Sequence, residues 1–274
     1  MTRRLLGHLL LVGGGLVTLY PLLWMAASSV KPTDEIFTGS GLWPSTFTLD
    51  NYRAGWSALG PQFGVFFGNS FLIALAAIAG NVLSCSMAAY AFARLRFAFR
   101  RLWFAVMLAT LMLPVHVLII PQYTVFHRLG WIDSFLPLIV PKFLAVDGFF
   151  IFLMTQFIRS LPTELDDAAR IDGCGPVRIY LRIILPLMRP ALITTAIFTF
   201  VWTWDDFFGQ LVYLNGVEHY TVPLALRSFL DSTGQSGWGQ LLAMATLSLV
   251  PVLVFFLVFQ RRITEGISTT GLHG

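Results

Sequence analysis

The sequence predicts an all-α membrane protein with six transmembrane helices, and three observations carry that prediction. Of 274 residues, 56% are hydrophobic and only 12% are charged, against about a quarter charged in ordinary soluble domains. The apolar residues gather into six runs, each near the ~20 residues that a helix needs to cross a bilayer core. Basic residues alternate between dense and sparse segments, as they do where charge sets topology.

The runs cover residues 5–30, 63–93, 102–122, 135–158, 191–214 and 241–259. Unpaired backbone groups are not tolerated in lipid, so each run reads as helix. The first follows Arg3 and Arg4 but is too long for a signal-peptide core and lacks a clean small-residue cleavage site, so it reads as a retained span. Residues 31–62 and 215–240 are connecting loops with room for short helices and no room for a second domain. Residues 1–274 therefore read as a single transmembrane domain.

With the N-terminus in the cytoplasm, thirteen of the 18 basic residues face inward. The outward five are Lys31, Arg53, Arg128, Lys142 and Arg227. This asymmetry places both termini, the tail 260–274 and the loop 159–190 in the cytoplasm.

Several classes are excluded. The net charge of +4 comes with no basic stripe interleaved with aromatics, so nucleic acid is not a partner. Cys85 lies in an apolar run and Cys174 in a polar loop, which argues against a disulfide. His8, His116, His127, His219 and His273 have no metal-ligand spacing. No nucleophile–base pair emerges and no G-x-x-x-x-G-K-[ST] is present, so the chain reads as a non-enzyme without a nucleotide, cofactor or metal of its own.

The loop 159–190 is the anomaly. Glu164, Asp166, Asp167 and Asp172 put four of the 14 acids into ten residues between greasy runs. Pro162 stops the preceding span. Thr163 and Asp166 have capping-box spacing, and the acids favour the positive end of the helix that follows. Leu165, Ala168 and Ala169 are expected on one side of that helix. Gly173 supplies a left-handed stop. A second helix is expected from near Val177, with Tyr180, Ile183, Ile184 and Leu187 on one face and Arg178 and Arg182 on the other. Pro186 and Pro190 end it. The result is a helix–turn–helix elbow. Lying flat on negative headgroups does not suit its acidic first helix, so a peg for another protein is the sharper reading.

Ionisable residues inside spans point to function, because each costs about 2.5–3.5 kcal/mol to insert. The fifth run has "FVWTWDDFFGQLVYL". Asp205, Asp206 and Gln210 beside Trp202 and Trp204 form the set of hydroxyl-binding and ring-covering groups that a sugar path needs. Structural pairing with a partner subunit is the favoured reading of the two acids, and substrate contact is the alternative. Asn69, Ser70, Asn81, Ser84 and Ser86 read as helix-packing groups. A proton relay through Asp205 and Asp206 is disfavoured because no broken helix is expected.

The elbow resembles the EAA loop of permease subunits from binding-protein-dependent ABC importers. Asp167, Ala168 and Ala169 stand for the first triplet, with Asp for Glu. Asp172, Gly173 and Cys174 stand for the second, with Cys for Ala. Ile183, Leu185 and Pro186 complete the pattern. "LYPLLWMAASSVKPTDEIF", "FTLDNY", "GNSFLIA", "MLPVHVLIIPQYTVFHRLGWIDS" and "QRRITEGISTTGLHG" are similar, in that order, to the carbohydrate-type, maltose-permease-like group. The resemblance implies a type I ABC importer permease fold in a bacterial plasma (inner) membrane. It implies that Glu164 and the three-residue sets above, with Pro186, couple to a cytoplasmic ATPase dimer. It also implies tail contacts to that ATPase through Gln260, Arg261 and Gly266. A second homologous permease and an extracytoplasmic solute-binding protein would complete the assembly, and ATP and Mg would be bound by the ATPase. The implied substrate is a sugar or oligosaccharide. Glycerol-phosphate or an amino-sugar is the near alternative, and proton-coupled secondary transport is the distant one.

Overall fold

The computed structural model describes residues 2–38, 41–230 and 237–268, with side chains from 6 to 259 except Val115. Among the described residues the chain is helical, with no strand. Contacts divide it into two compact units, Met1–Phe67 with Val222–Val252, and Gly68–Thr221 with Leu253–Gly274.

In the first unit, the helix Thr2–Ser28 is about 40 Å long at 1.5 Å per residue. None of residues 6–27 is buried, the pattern of a helix whose solvent is lipid. The loop that follows is built around buried Asn51. Its Nδ2 donates to the carbonyls of Ser29 at 3.0 Å and Lys31 at 2.7 Å. The backbone of Gly239 lies so close to Asn51 that any Cβ there would collide with it. Short helices form over Glu35–Thr38 and Asp50–Ser57. Phe63 anchors an aromatic cluster with Phe66, Phe67 and Phe229, at centroid distances of 5.5, 5.4 and 6.2 Å.

The second unit holds most of the core. Cys85, Ala89 and Tyr90 pack with Phe150, Ile151, Met154 and Ile158. Close approach is possible because Gly80 has no side chain: a Cβ there would come within 2.9 Å of Lys142 and Phe143. The polar residues of the long helix Phe63–Arg94 act in packing, as expected. Asn81 donates to Thr199 Oγ1 at 3.1 Å, and Ser84 donates to the Lys142 carbonyl at 2.7 Å. Asn69 donates to the carbonyls of Glu218 and Tyr220, both at 2.9 Å.

Among the described residues, four helices are long and apolar enough to cross a membrane: Leu6–Ser28, Phe63–Arg94, Leu136–Ser160 and Trp238–Phe259. A fifth exists if Pro176–Leu187 and Arg189–Asp205, bent by 74°, count as one. Two expectations are corrected. The run 102–122 is not one helix but two, Arg100–Thr110 and Val115–Arg128. Pro114 is extended at ψ 123°; it has no N–H to continue a ladder and pushes its predecessor out of the helical region. The run 191–214 is also broken. Arg189–Asp205 ends where Asp206 turns extended, and Phe208–Tyr213 begins anew. The absence of a broken helix therefore no longer argues against a proton relay.

Candidate functional site

The elbow is fixed at its root. Arg94, the last residue of the long helix, places Nε 2.8 Å from Asp166 Oδ2, with the two side chains 7% and 4% exposed. Its Nη2 donates to the Leu161 carbonyl at 2.7 Å. Neither Arg94 Nε nor the Asp166 oxygens meet hydrogen-bond geometry with any described residue, so charge attraction alone joins them. This corrects the capping-box expectation. Thr163 has helical angles and makes no cap bond, because Asp166 is drawn inward to the arginine. The same pull rotates the helix Glu164–Ile171. Asp166 and Ala169 face the core, while Leu165 and Ala168 are exposed.

The second elbow helix is rooted as firmly. Pro176 opens it at the first helical position, one residue ahead of the expected start, where a missing N–H costs nothing. Tyr180–Ile184 is a π-helical segment, an irregularity with no sequence signal strong enough to foresee. It shifts the inward face: Ile179, Tyr180, Ile184 and Met188 are buried, whereas Leu187 is 42% exposed. The Tyr180 and Ser86 hydroxyls are hydrogen-bonded at 2.7 Å. Tyr90 donates to the Pro176 carbonyl at 3.1 Å, and the two tyrosine rings lie 5.3 Å apart.

The tip is different. Gly173 takes φ +75° and closes a Schellman motif. Its N–H donates to Arg170 O at 3.0 Å, and Cys174 N–H donates to Ala169 O at 2.9 Å, which satisfies the carbonyls at the helix end. Around this turn Ile171 is 87% and Val177 70% exposed. Glu164, Asp167, Ala168, Asp172 and Pro186 are exposed as well. Cys174 is half-buried, and both cysteines are free. Of the expected coupling residues, Ala169 belongs to the core and Cys174 packs against it. The pairing of Arg94 with Asp166 is not among the expectations. Its signal was spacing, since Asp166 lies three residues before Ala169 and so shares its face.

The candidate path residues do not converge. Gln210 is buried and already satisfied: it donates to the Thr203 carbonyl at 3.0 Å and accepts from Thr221 Oγ1. Trp204 is buried between Phe71 and Phe200, at 4.9 and 5.5 Å. Trp202 is 50% exposed on a separate patch with Phe149 and Phe150, at 5.4 and 5.3 Å. Asp206 Oδ1 accepts the Gly209 N–H at 3.0 Å and so caps the helix after the break. Asp205 is exposed at the same break. Gln260, Arg261 and Gly266 fall on the last turns of the helix Trp238–Ser268, and their side chains lie outside the described residues. No group of three metal-ligating side chains occurs among the described residues.

Apolar helices of membrane length, with an elbow buried at its root and exposed at its tip, define a polytopic helical membrane subunit. The chain belongs to the family of binding-protein-dependent transport system inner membrane components, whose pattern matches residues 80–269. It is 32% identical to the arabinooligosaccharides transport system permease protein AraQ of Halalkalibacterium halodurans, over 100% of this chain and 99% of that one. It is 34% identical to the trehalose transport system permease protein SugB of Mycobacterium tuberculosis, over 93% of each. Among solved structures it matches a bacterial ABC transporter involved in import of the acidic polysaccharide alginate, with TM-score 0.83 and 21% identity over 95% of this chain and 96% of that one. The fold is that of a type I ABC importer permease, a non-catalytic membrane subunit served by a separate ATPase and a binding protein.

Proposed function

We propose that this chain forms half of the translocation pathway of an ATP-driven importer for a sugar or oligosaccharide. Residues 1–274 act as one transmembrane domain with both termini in the cytoplasm, paired with a second, homologous permease. The loop 159–190 seats its tip in the ATPase, with Glu164, Asp167, Ala168, Asp172 and Gly173 at or beside the contact, and the tail adds Gln260, Arg261 and Gly266. Ala169, Cys174 and Pro186 serve the same site from behind by holding its shape. The observation that carries this reading is the contrast between the buried Arg94–Asp166 root and the exposed Ile171 and Val177 at the tip. A connector with no partner has no reason to be both rigid and apolar at its end.

Sugar is favoured by relatives that carry arabinooligosaccharides and trehalose. Within the path, Trp202, Asp205 and Asp206 remain as contact groups, while Trp204 and Gln210 act as scaffold. An exposed carboxylate at Asp205 suits hydroxyl-rich or amine-bearing sugars better than a phosphate ester. The test is purification from native membranes followed by reconstitution. The chain is expected to bring with it an ATPase and a second permease, and a sugar delivered by the binding protein is expected to stimulate ATP hydrolysis. Transport by the chain alone under a pH gradient would overturn the proposal in favour of a proton-coupled carrier.

A further inference from the structure

The loop between the helices Phe63–Arg94 and Arg100–Thr110 lies outside the coupling and path residues described above. Its sequence, with the start of the next helix, is "LRFAFRRLWF". Arg96, Phe97, Phe99, Arg100 and Arg101 line an open cavity of about 430 Å³. Arg100 is partly engaged, donating to the Leu95 carbonyl at 2.9 Å. Arg96 and Arg101 make no hydrogen bond or ion pair among the described residues. No acidic residue occurs anywhere between Asp50 and Asp133, and Asp166 is taken by Arg94. Arg100 and Arg101 also open a helix whose first turn has no acid, so their charge opposes the helix dipole. The aromatic residues complete the picture. Phe97 rests on Phe92 at 5.8 Å. Phe99 is 74% exposed and Trp103 56%, and Phe99 holds φ +58°, a conformation that a bulky residue seldom adopts.

We infer that this loop binds an anionic phospholipid, with Arg96 and Arg101 on the headgroup phosphate and Phe99 and Trp103 beside the glycerol and upper acyl chain. Guanidinium groups match phosphate in bidentate geometry, and aromatic rings favour the headgroup level of a bilayer. A free phosphate ion would use the arginines and leave the exposed rings unexplained; a lipid uses both. The inference rests on the chain being a membrane subunit and is independent of what it transports.

The test counts lipids. The full chain, purified in non-ionic detergent, is incubated with equal amounts of phosphatidylglycerol and phosphatidylcholine, and retained lipid per chain is read by native mass spectrometry. Phosphatidylglycerol is expected to dominate, and Arg96→Gln or Arg101→Gln each to lower the preference by about fivefold. Phe99→Ser is expected to lower retention of phosphatidylglycerol without changing the yield of folded chain. Arg178→Gln or Arg182→Gln removes the same single charge from the elbow, and each is expected to keep the preference. Equal retention of the two lipids overturns the inference. So does an equal loss in either elbow variant, which would make the effect one of bulk charge. Displacement of the lipid by millimolar inorganic phosphate overturns it in favour of a free-anion site.

Discussion

The root and the tip of the elbow are built from adjacent residues and obey opposite rules. At the root a charged pair is buried at 2.8 Å, a tyrosine hydroxyl is bonded at 2.7 Å and Ala169 is sealed into the core. At the tip two aliphatic side chains stand in the open and the backbone turns through a left-handed glycine. Burial satisfies the root within the chain. The tip leaves apolar side chains that nothing among the described residues covers. On the proposed reading, a held root and an uncovered tip would let a short segment receive a push and pass it on.

The comparison breaks most violently at Asp166. Asp166→Ala strands the Arg94 guanidinium inside the protein and is expected to cost about 3–5 kcal/mol. The melting temperature of the detergent-purified chain measures this; an unchanged value would mean that charge does not hold the root. Gly173→Val meets nothing within 4 Å, so its cost is backbone strain alone, about 1–2 kcal/mol. Insertion is expected to survive and uptake to fail; near-normal uptake would count against a coupling role. Tyr180→Phe removes one hydrogen bond, while Ser86 keeps the Val82 and Leu83 carbonyls, and is expected to cost about 0.5–1.5 kcal/mol in the melting measurement. Ile171→Ser with Val177→Ser changes stability by no more than about 0.5 kcal/mol per site while abolishing co-purification of the ATPase. If the ATPase still co-purifies, the tip is not the docking point.

The smallest effect sharpens the contrast from a third place. The Asp133 carboxyl is held below the usual range, chiefly by the backbone N–H groups of Gly216 and Asn215 and further by His219. Because the folded value is depressed, its stabilisation is present above the unfolded value near 3.9 and is lost as pH falls through the folded one. Asp133→Asn is therefore expected to lower the melting temperature slightly at neutral pH and to leave it unchanged in strong acid. A gap that persists in acid would mean that packing, not charge, ties this loop.

Much of this was legible in the sequence, and the gaps have causes. Run length located the elbow between two apolar segments, and Gly173 announced its turn, because local rules govern both. Asp166 was assigned to a cap because capping is also local, whereas its true partner lies 72 residues away in "AFARLRF". The breaks at Pro114 and Asp206 sat inside apolar runs whose overall hydropathy hid them. The path residues were grouped by adjacency in sequence, but successive helical residues point in different directions, and Trp202 and Trp204 indeed lie on separate patches.

The 74° angle between Pro176–Leu187 and Arg189–Asp205 makes the pair a crank. The longer arm measures about 25 Å, so rocking the shorter arm by about 10° swings the far end by roughly 4 Å. That end carries Asp205 and the helix break. On the proposed coupling reading, gearing of this kind would turn a small stroke at the elbow into a displacement at Asp205 about as wide as one hydroxyl group.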